Sequence, residues 1–124
     1  MGAGNLGLAL ADYPGFREEG FEIAAMFDTS PDKIGQASRS GVAIHDLREL
    51  RAVVRRLQIT IAVIAVPAES AQAVVNAVVA AGLKAVLNFS PGGLQVPPDV
   101  KLKSVDLTVS LESLSFFLAQ GDGA

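Results

Sequence analysis

The chain has no cysteine, which excludes disulfides, thiolate metal sites and cysteine nucleophiles together. It has one histidine, His45, so no metal can be held by paired histidines, and a Ser-His-Asp arrangement would hang on one residue. Basic residues are few: ten Lys and Arg stand against thirteen Asp and Glu, for a net charge of −3. No basic run is long enough to track a phosphate backbone, so these residues by themselves make a poor nucleic-acid binder. No apolar run approaches the ~20 residues of a membrane helix. The first residues, Met1 to Asn5, lack the basic-then-apolar order of a signal peptide, and a cytoplasmic protein is the expectation. Aromatics are scarce, with no Trp, one Tyr and six Phe. The core is left to Ala, Val, Leu and Ile, the mixture that fills parallel sheets and the helices covering them. With 124 residues, half of them hydrophobic, one packed domain is expected.

Periodicity and punctuation then divide the chain. Residues 4–13 read as a helix opened by a glycine turn and stopped at Pro14-Gly15. Residues 21–27 form an apolar run of strand length, followed by turn formers from Asp28 to Ser30 and a short helix from Pro31 through Ile34. Residues 42–44 read as a short strand, and Asp46 as the cap of a helix reaching Leu57. Residues 59–66 are the most β-branched stretch and read as a strand buried on both faces. A helix over 69–81 closed by Gly82, a strand over 84–89 and a half-exposed strand over 100–105 follow. The last helix is expected over 108–119, with Leu111, Leu114 and Leu118 on one stripe and Phe117 beside it. Strands alternating with helices call for an α/β, doubly wound, Rossmann-type parallel sheet.

Gly2-Ala3-Gly4-Asn5-Leu6-Gly7 is a G-x-G-x-x-G that opens a helix. The strand after that helix ends at Asp28, 21 residues beyond Gly7. Each part has mechanical work to do. Gly2 permits a tight turn, Gly4 lets backbone amides approach a pyrophosphate, and Gly7 lets the helix lie close to the sheet. The helix N-terminus offers unpaired N–H groups to the phosphates. Asp28 would accept hydrogen bonds from the adenosine ribose. An anion there repels a 2′-phosphate, and Thr29-Ser30 bring no Arg to hold one, so NAD rather than NADP is expected.

These residues also carry a resemblance. Gly2 to Gly7 followed by Ala11-Asp12-Tyr13-Pro14-Gly15-Phe16 is similar to the start of the cofactor domain of the Rex family of redox-sensing transcriptional repressors. So are Phe27-Asp28 with Pro31-Asp32-Lys33-Ile34-Gly35, and Val66-Pro67 with Ala71-Gln72. Asn88-Phe89-Ser90-Pro91, Ser104-Val105-Asp106-Leu107 and Leu114-Ser115-Phe116-Phe117-Leu118 complete the blocks. The resemblance implies a homodimer that senses the NADH/NAD+ ratio and represses respiratory and fermentative genes when NADH is low. It implies an N-terminal winged-helix domain that meets operator DNA, and a Rossmann domain ending in a helix swapped between subunits. Here that makes residues 1–106 the NAD(H)-binding domain and 107–120 the dimerisation helix, with Leu111, Leu114, Phe117 and Leu118 at the interface. Carried over by position, Gly2, Ala3, Gly4, Asn5, Leu6 and Gly7 hold the pyrophosphate and Asp28 the ribose. Lys33, Val66, Pro67, Asn88, Phe89, Ser90 and Pro91 belong to the same cofactor set. Tyr13 and Asp106 resemble the family's switch pair, in which the acid bonds the tyrosine or an arginine of the DNA-binding domain.

Two departures from the family pattern stand out. Gly92-Gly93 replaces bulkier residues near the nicotinamide. By the family pattern, the winged helix and the first, central strand of the sheet are expected to precede these residues, with Met1 in the position of that strand's last residue. The expectation is therefore a sheet lacking its first strand, and a chain that is unfolded, molten or aggregation-prone unless something fills the slot.

Other constellations read more simply. His45 is expected in a loop, and Arg48, Arg51, Arg55 and Arg56 on a solvated helix face. Neither a catalytic set nor a metal site emerges. Hydride transfer needs a second substrate beside the nicotinamide and usually an acid or base, and 124 residues leave no substrate domain. A sensor needs only different affinities for two cofactor states. NADH and NAD+ as signals, without enzymatic activity, are the leading reading. The alternatives are a CoA-binding module of the acyl-CoA synthetase type, a fragment of an NAD-dependent dehydrogenase, and a truncated product without a function of its own.

Overall fold

The computed structural model describes residues 1, 2 and 4–105. Ala3, Asp106 and the expected last helix with Leu111, Leu114, Phe117 and Leu118 lie outside the described residues. In chain order come α1 (Asn5–Asp12), α2 (Pro14–Glu18), β1 (Met26–Asp28), β2 (Ile44–Asp46), a 3-10 turn (Leu47–Glu49), α3 (Leu50–Leu57), β3 (Ile61–Ile64), α4 (Ala68–Ala80), β4 (Ala85–Asn88) and β5 (Lys101–Ser104).

Among the described residues the named strands all pair in parallel, as the alternating pattern requires, and only the isolated bridge between Ala37 and Ala43 is antiparallel. β1 pairs with β2, and β3, β4 and β5 pair in that order. Placed side by side, the order β2-β1-gap-β3-β4-β5 is that of a dinucleotide-binding sheet without its central strand. The two halves meet through Met1 and Gly2. The Met1 amine donates to the Val63 carbonyl at 2.7 Å, the Ala65 amide donates to the Met1 carbonyl at 2.8 Å, and the Gly2 amide donates to the Phe27 carbonyl at 2.8 Å.

The missing partner explains most departures from the sequence reading. The strand expected over 21–27 pairs only from Met26, and the one expected over 59–66 only over Ile61–Ile64. A strand with one open edge has half its ladder. Ile61, expected to be buried on both faces, is 46% exposed for the same reason. The first helix stops before Pro14-Gly15 as expected, with Tyr13 extended as its C-cap, but Pro14 then opens a second short helix, α2, where its missing N–H costs nothing. Residues 31–35 are consecutive turns rather than a short helix. The strand expected over 42–44 is β2, shifted to Ile44–Asp46, so His45 sits in a strand opposite Phe27 instead of in a loop.

The core follows the sequence pattern closely. Ala71, Val74, Val75 and Val78 form the buried stripe of α4, the i, i+3, i+4, i+7 spacing of one helix face. They pack with Ala62, Ile64 and Val86 from the sheet and Leu50 and Val53 from α3. Asp46 caps as expected, its carboxylate accepting from the Arg48 amide at 2.9 Å. Arg51, Arg55 and Arg56 are exposed. Met26 belongs to a second cluster with Ile44, Leu8 and Ala11, while its neighbour Phe27 belongs to the main one. This alternation puts α1 on one face of the sheet and α3 on the other.

Candidate cofactor site

The glycine loop is shaped by three different constraints. Gly2 lies at φ +98°, and a Cβ there would stand 2.6 Å from the Ala65 carbonyl oxygen and 2.9 Å from a Val66 methyl. A Cβ on Gly7 would stand 1.9 Å from the Gly2 carbonyl oxygen. Both positions forbid a side chain because protein already fills the space. Gly4 is the opposite case, since nothing lies within 4 Å of where its Cβ would be. Open space beside that backbone is what a phosphate needs to reach the amides.

Gly4 is the N-cap of α1, with no side-chain cap and no acid in the first turn. The first amides of α1 and the positive end of its dipole are left for an anion. The residues present thus fit a dinucleotide pyrophosphate. The bond from Gly2 to Phe27 ties this loop to the end of β1, where Asp28 follows. One Asp28 carboxylate oxygen accepts from the Thr29 amide at 2.7 Å and the Ser30 amide at 2.9 Å. These bonds fix the carboxylate at the strand mouth. Lys33 is half-buried in the turns that follow.

The other wall comes from the ends of β3 and β4. Val66 and Pro67 follow β3, with Pro67 at the N-cap of α4. Asn88 ends β4 and is fully buried. Its oxygen accepts from the Ser90 amide at 2.9 Å, and its nitrogen donates to the Ser90 carbonyl at 3.1 Å and the Ser104 hydroxyl at 3.4 Å. The Ser90 hydroxyl donates to the Val66 carbonyl. Asn88 and Ser90 therefore brace the wall by joining the ends of β3, β4 and β5. Phe89 is half-buried and Pro91 exposed. Ser104 escaped the sequence reading of the site because a serine in a strand of alternating exposure carries no signal of its own.

Tyr13 lies at the opposite end of α1 from the loop, about 12 Å along an eight-residue helix. Its ring is 57% exposed and stands edge-on to Phe16, with centroids 5.2 Å apart. The structure does not bring Tyr13 to the cleft. The neighbouring Asp12 was given no role in the sequence reading. Its carboxylate accepts from the Ser40 amide at 3.0 Å, the Arg39 amide at 3.2 Å and the Ser40 hydroxyl. These donors, the Ser40 hydroxyl foremost, hold its pKa down at about 2. His45 lies 3.5 Å from the Glu49 carboxylate. Among the described residues no three His, Cys, Asp or Glu side chains cluster as metal ligands, and no helix is long and apolar enough to cross a membrane.

The family model described as CoA binding domain matches residues 1–92. A redox-sensing transcriptional repressor Rex of Desulfitobacterium hafniense is 46% identical over 116 residues, 94% of this chain and 55% of the relative. Its counterpart in Syntrophomonas wolfei is 50% identical over 119 residues, 96% of this chain and 56% of the relative. The chain belongs to the CoA-binding domain family and is similar to the Rex repressors. It spans little more than half the length of these Rex relatives. Solved Rex-family structures agree on the fold. A repressor called RSP, 37% identical, superposes on 98% of this chain with a TM-score of 0.87, and this chain covers 57% of it. RSP in complex with β-NADH gives 0.86, with 58% of RSP covered. RSP with β-NAD+ and operator DNA gives 0.84, with 55% covered.

Proposed function

We propose that this domain binds NADH and NAD+ as signals and forms the sensing part of a dimeric transcriptional repressor. One observation carries the reading. The uncapped N-terminus of α1, with open space at Gly4, is hydrogen-bonded through Gly2 to the strand that ends in Asp28. That bond supports pyrophosphate and ribose recognition lying side by side. When bound, the cofactor supplies a redox state to be read, and the chain's residues supply only its grip. Gly2 and Gly7 let the loop close on β1 and β3, the open backbone at Gly4 admits the pyrophosphate, and Asp28 accepts from the ribose hydroxyls. Lys33, Val66, Pro67, Phe89 and Pro91 line the site, with Asn88 and Ser90 holding its wall.

The relatives are named repressors rather than enzymes, which supports the reading of a sensor without catalytic activity, acting in the cytoplasm where a transcriptional repressor meets its DNA. DNA contact falls to a winged-helix domain upstream. Dimerisation falls to the 107–120 segment through Leu111, Leu114, Phe117 and Leu118. Tyr13 and Asp106 form the switch pair. Sedimentation of the full-length protein should show a dimer, lost when Leu114 and Phe117 are both replaced by Asp; a monomer before mutation would overturn the dimer.

The family description favours CoA as a second ligand to weigh. CoA carries a phosphate on its adenosine ribose, where the Asp28 carboxylate repels it. The deciding experiment titrates full-length protein with NADH, NAD+, NADPH and CoA. Tight binding of NADH with weak binding of NADPH and CoA is expected, and preference for CoA would replace this reading.

A further inference from the structure

Residues 89–100 join β4 to β5 without a helix or strand, so side chains must fix the course of this loop. Its outgoing end is braced by the buried pair Asn88 and Ser90. Pro91, Gly92 and Gly93 at its tip are exposed, and nothing lies within 4 Å of where a Cβ would stand on either glycine. Gly92 lies at φ +92°. Two adjacent glycines make such a tip costly to order. On the returning limb Leu94 and Val96 pack against the core, and Gln95 between them meets α4.

Gln72 stands in the second turn of α4, the helix that starts at the cleft after Pro67. Its side-chain oxygen accepts from the Gln95 amide at 2.9 Å, and its nitrogen donates to the Gln95 carbonyl at 2.9 Å. One primary amide thus satisfies both backbone groups of one residue, as a neighbouring strand would. The second hydrogen of that nitrogen goes to the Asn76 side-chain oxygen, 3.0 Å away and one turn along α4. Asn76 thereby holds the amide plane in the orientation that Gln95 needs. Around this bridge Gln72, Asn76, Gly93, Gln95, Val96 and Pro97 line an open groove of about 640 Å³, so Gly93 faces open space.

A dinucleotide binds across the point where the strand order reverses, one nucleoside to each half of the sheet. With the adenosine on Asp28 beside β1, the second nucleoside falls at the ends of β3 and β4, where residues 89–93 lie. We propose that Gln72 is a positioning residue for that second, nicotinamide-bearing nucleoside, a role that rests on the cofactor reading above. It pins the 89–100 loop at Gln95, so that the glycine tip is ordered before the ligand arrives. A loop ordered in advance costs less affinity to immobilise. The benefit is confined to ligands long enough to reach it.

The test titrates the full-length protein and its Gln72→Met variant with NADH, NAD+ and ADP, which carries the adenosine and pyrophosphate without the second nucleoside. Gln72→Met keeps the length of the side chain and loses both bonds to Gln95. NADH and NAD+ should weaken by about tenfold, while ADP stays within about twofold of its original affinity. Amide exchange over 91–96 should quicken by about tenfold, with α4 and β3 as well protected as before. Should Gln72→Met fail to fold, Gln72→Glu, which keeps the acceptor for the Gln95 amide and loses the donor to its carbonyl, supplies the same comparison. Equal weakening of NADH and ADP would overturn the role, because a general loss of stability does not distinguish the two halves of the ligand. So would unchanged NADH affinity, or unchanged exchange over 91–96. Unmutated protein that binds no NADH would overturn the cofactor reading itself, and the positioning role with it.

Discussion

Gly7 and Gly2 stand so close that a Cβ on Gly7 would lie 1.9 Å from the Gly2 carbonyl oxygen. The contact is between backbone and backbone, so no side-chain rotation relieves it. Gly7→Ala must push α1 away from the loop and disturb the bond from Gly2 to Phe27 as well. Overpacking of this kind costs about 1–3 kcal/mol. NADH affinity of the full-length protein should fall by about tenfold to a hundredfold, with a lower unfolding temperature. Gly4→Ala should behave differently, since nothing of the protein lies within 4 Å of its added methyl. It should weaken NADH binding while leaving thermal unfolding almost unchanged. Isothermal titration beside calorimetric melting separates the two effects, and equal destabilisation by both would contradict the assignment of open space to the ligand.

Asp28 should set cofactor choice. Hydrogen bonds to a charged acceptor contribute about 1.5–3 kcal/mol, so Asp28→Ala should weaken NADH by about tenfold or more. NADPH should lose less, because the repulsion of its 2′-phosphate disappears at the same time. The ratio of the two affinities is the readout. Comparable NADPH affinity before mutation would remove Asp28 from the ribose.

The place of Asp28 at the end of β1 was available from spacing alone, because a glycine loop and a strand-end acid are local signals bound to backbone geometry. The α4 stripe was equally plain, since Val74, Val75 and Val78 repeat with the helix period. The limits of β1 and β3 were not, because pairing depends on a neighbour that the sequence of residues 21–27 or 59–66 does not encode. The bracing role of Asn88 was hidden for a related reason. Its partners, Ser90 and Ser104, come from a turn and from another strand, and only folding brings their polar groups to one buried point. Asp12 likewise reaches Ser40, 28 residues away, and reads in the sequence as an ordinary helix-end acid.

Asn88 should therefore matter to stability more than to ligand contact. Asn88→Ala leaves the Ser90 amide and carbonyl short of partners in a buried site, at about 1–3 kcal/mol for each unsatisfied group. Asn88→Asp keeps the acceptor for the Ser90 amide but turns a carboxylate oxygen toward the Ser90 carbonyl. Both variants should lower the unfolding temperature by several degrees. Ser104→Ala, which removes only the longest of these bonds, should have a small effect. A thermally normal Asn88→Ala protein would show that the buried amide is not a brace.

The Met1 amine offers a pH signature of the stub between the two halves of the sheet. Burial lowers its pKa from 8.0 to about 6, against an opposing attraction to Asp28. The folded chain then binds fewer protons at this group than the unfolded chain wherever the pH lies between those values. Stability must rise with pH across that window. Above about pH 8 both states are neutral at the amine, and below about pH 6 both are charged, so the contribution is flat outside it. The full change is about 3 kcal/mol, from two pKa units at 1.36 kcal/mol each. Urea unfolding of residues 1–124 at closely spaced pH values should show this rise. The same chain acetylated at Met1, or extended upstream so that Met1 carries a peptide bond, has no amine at Met1 to titrate and should lose that slope. Any slope that survives belongs to other groups. An identical pH profile for the free and acetylated chains would mean that the Met1 amine is solvated rather than held against Val63.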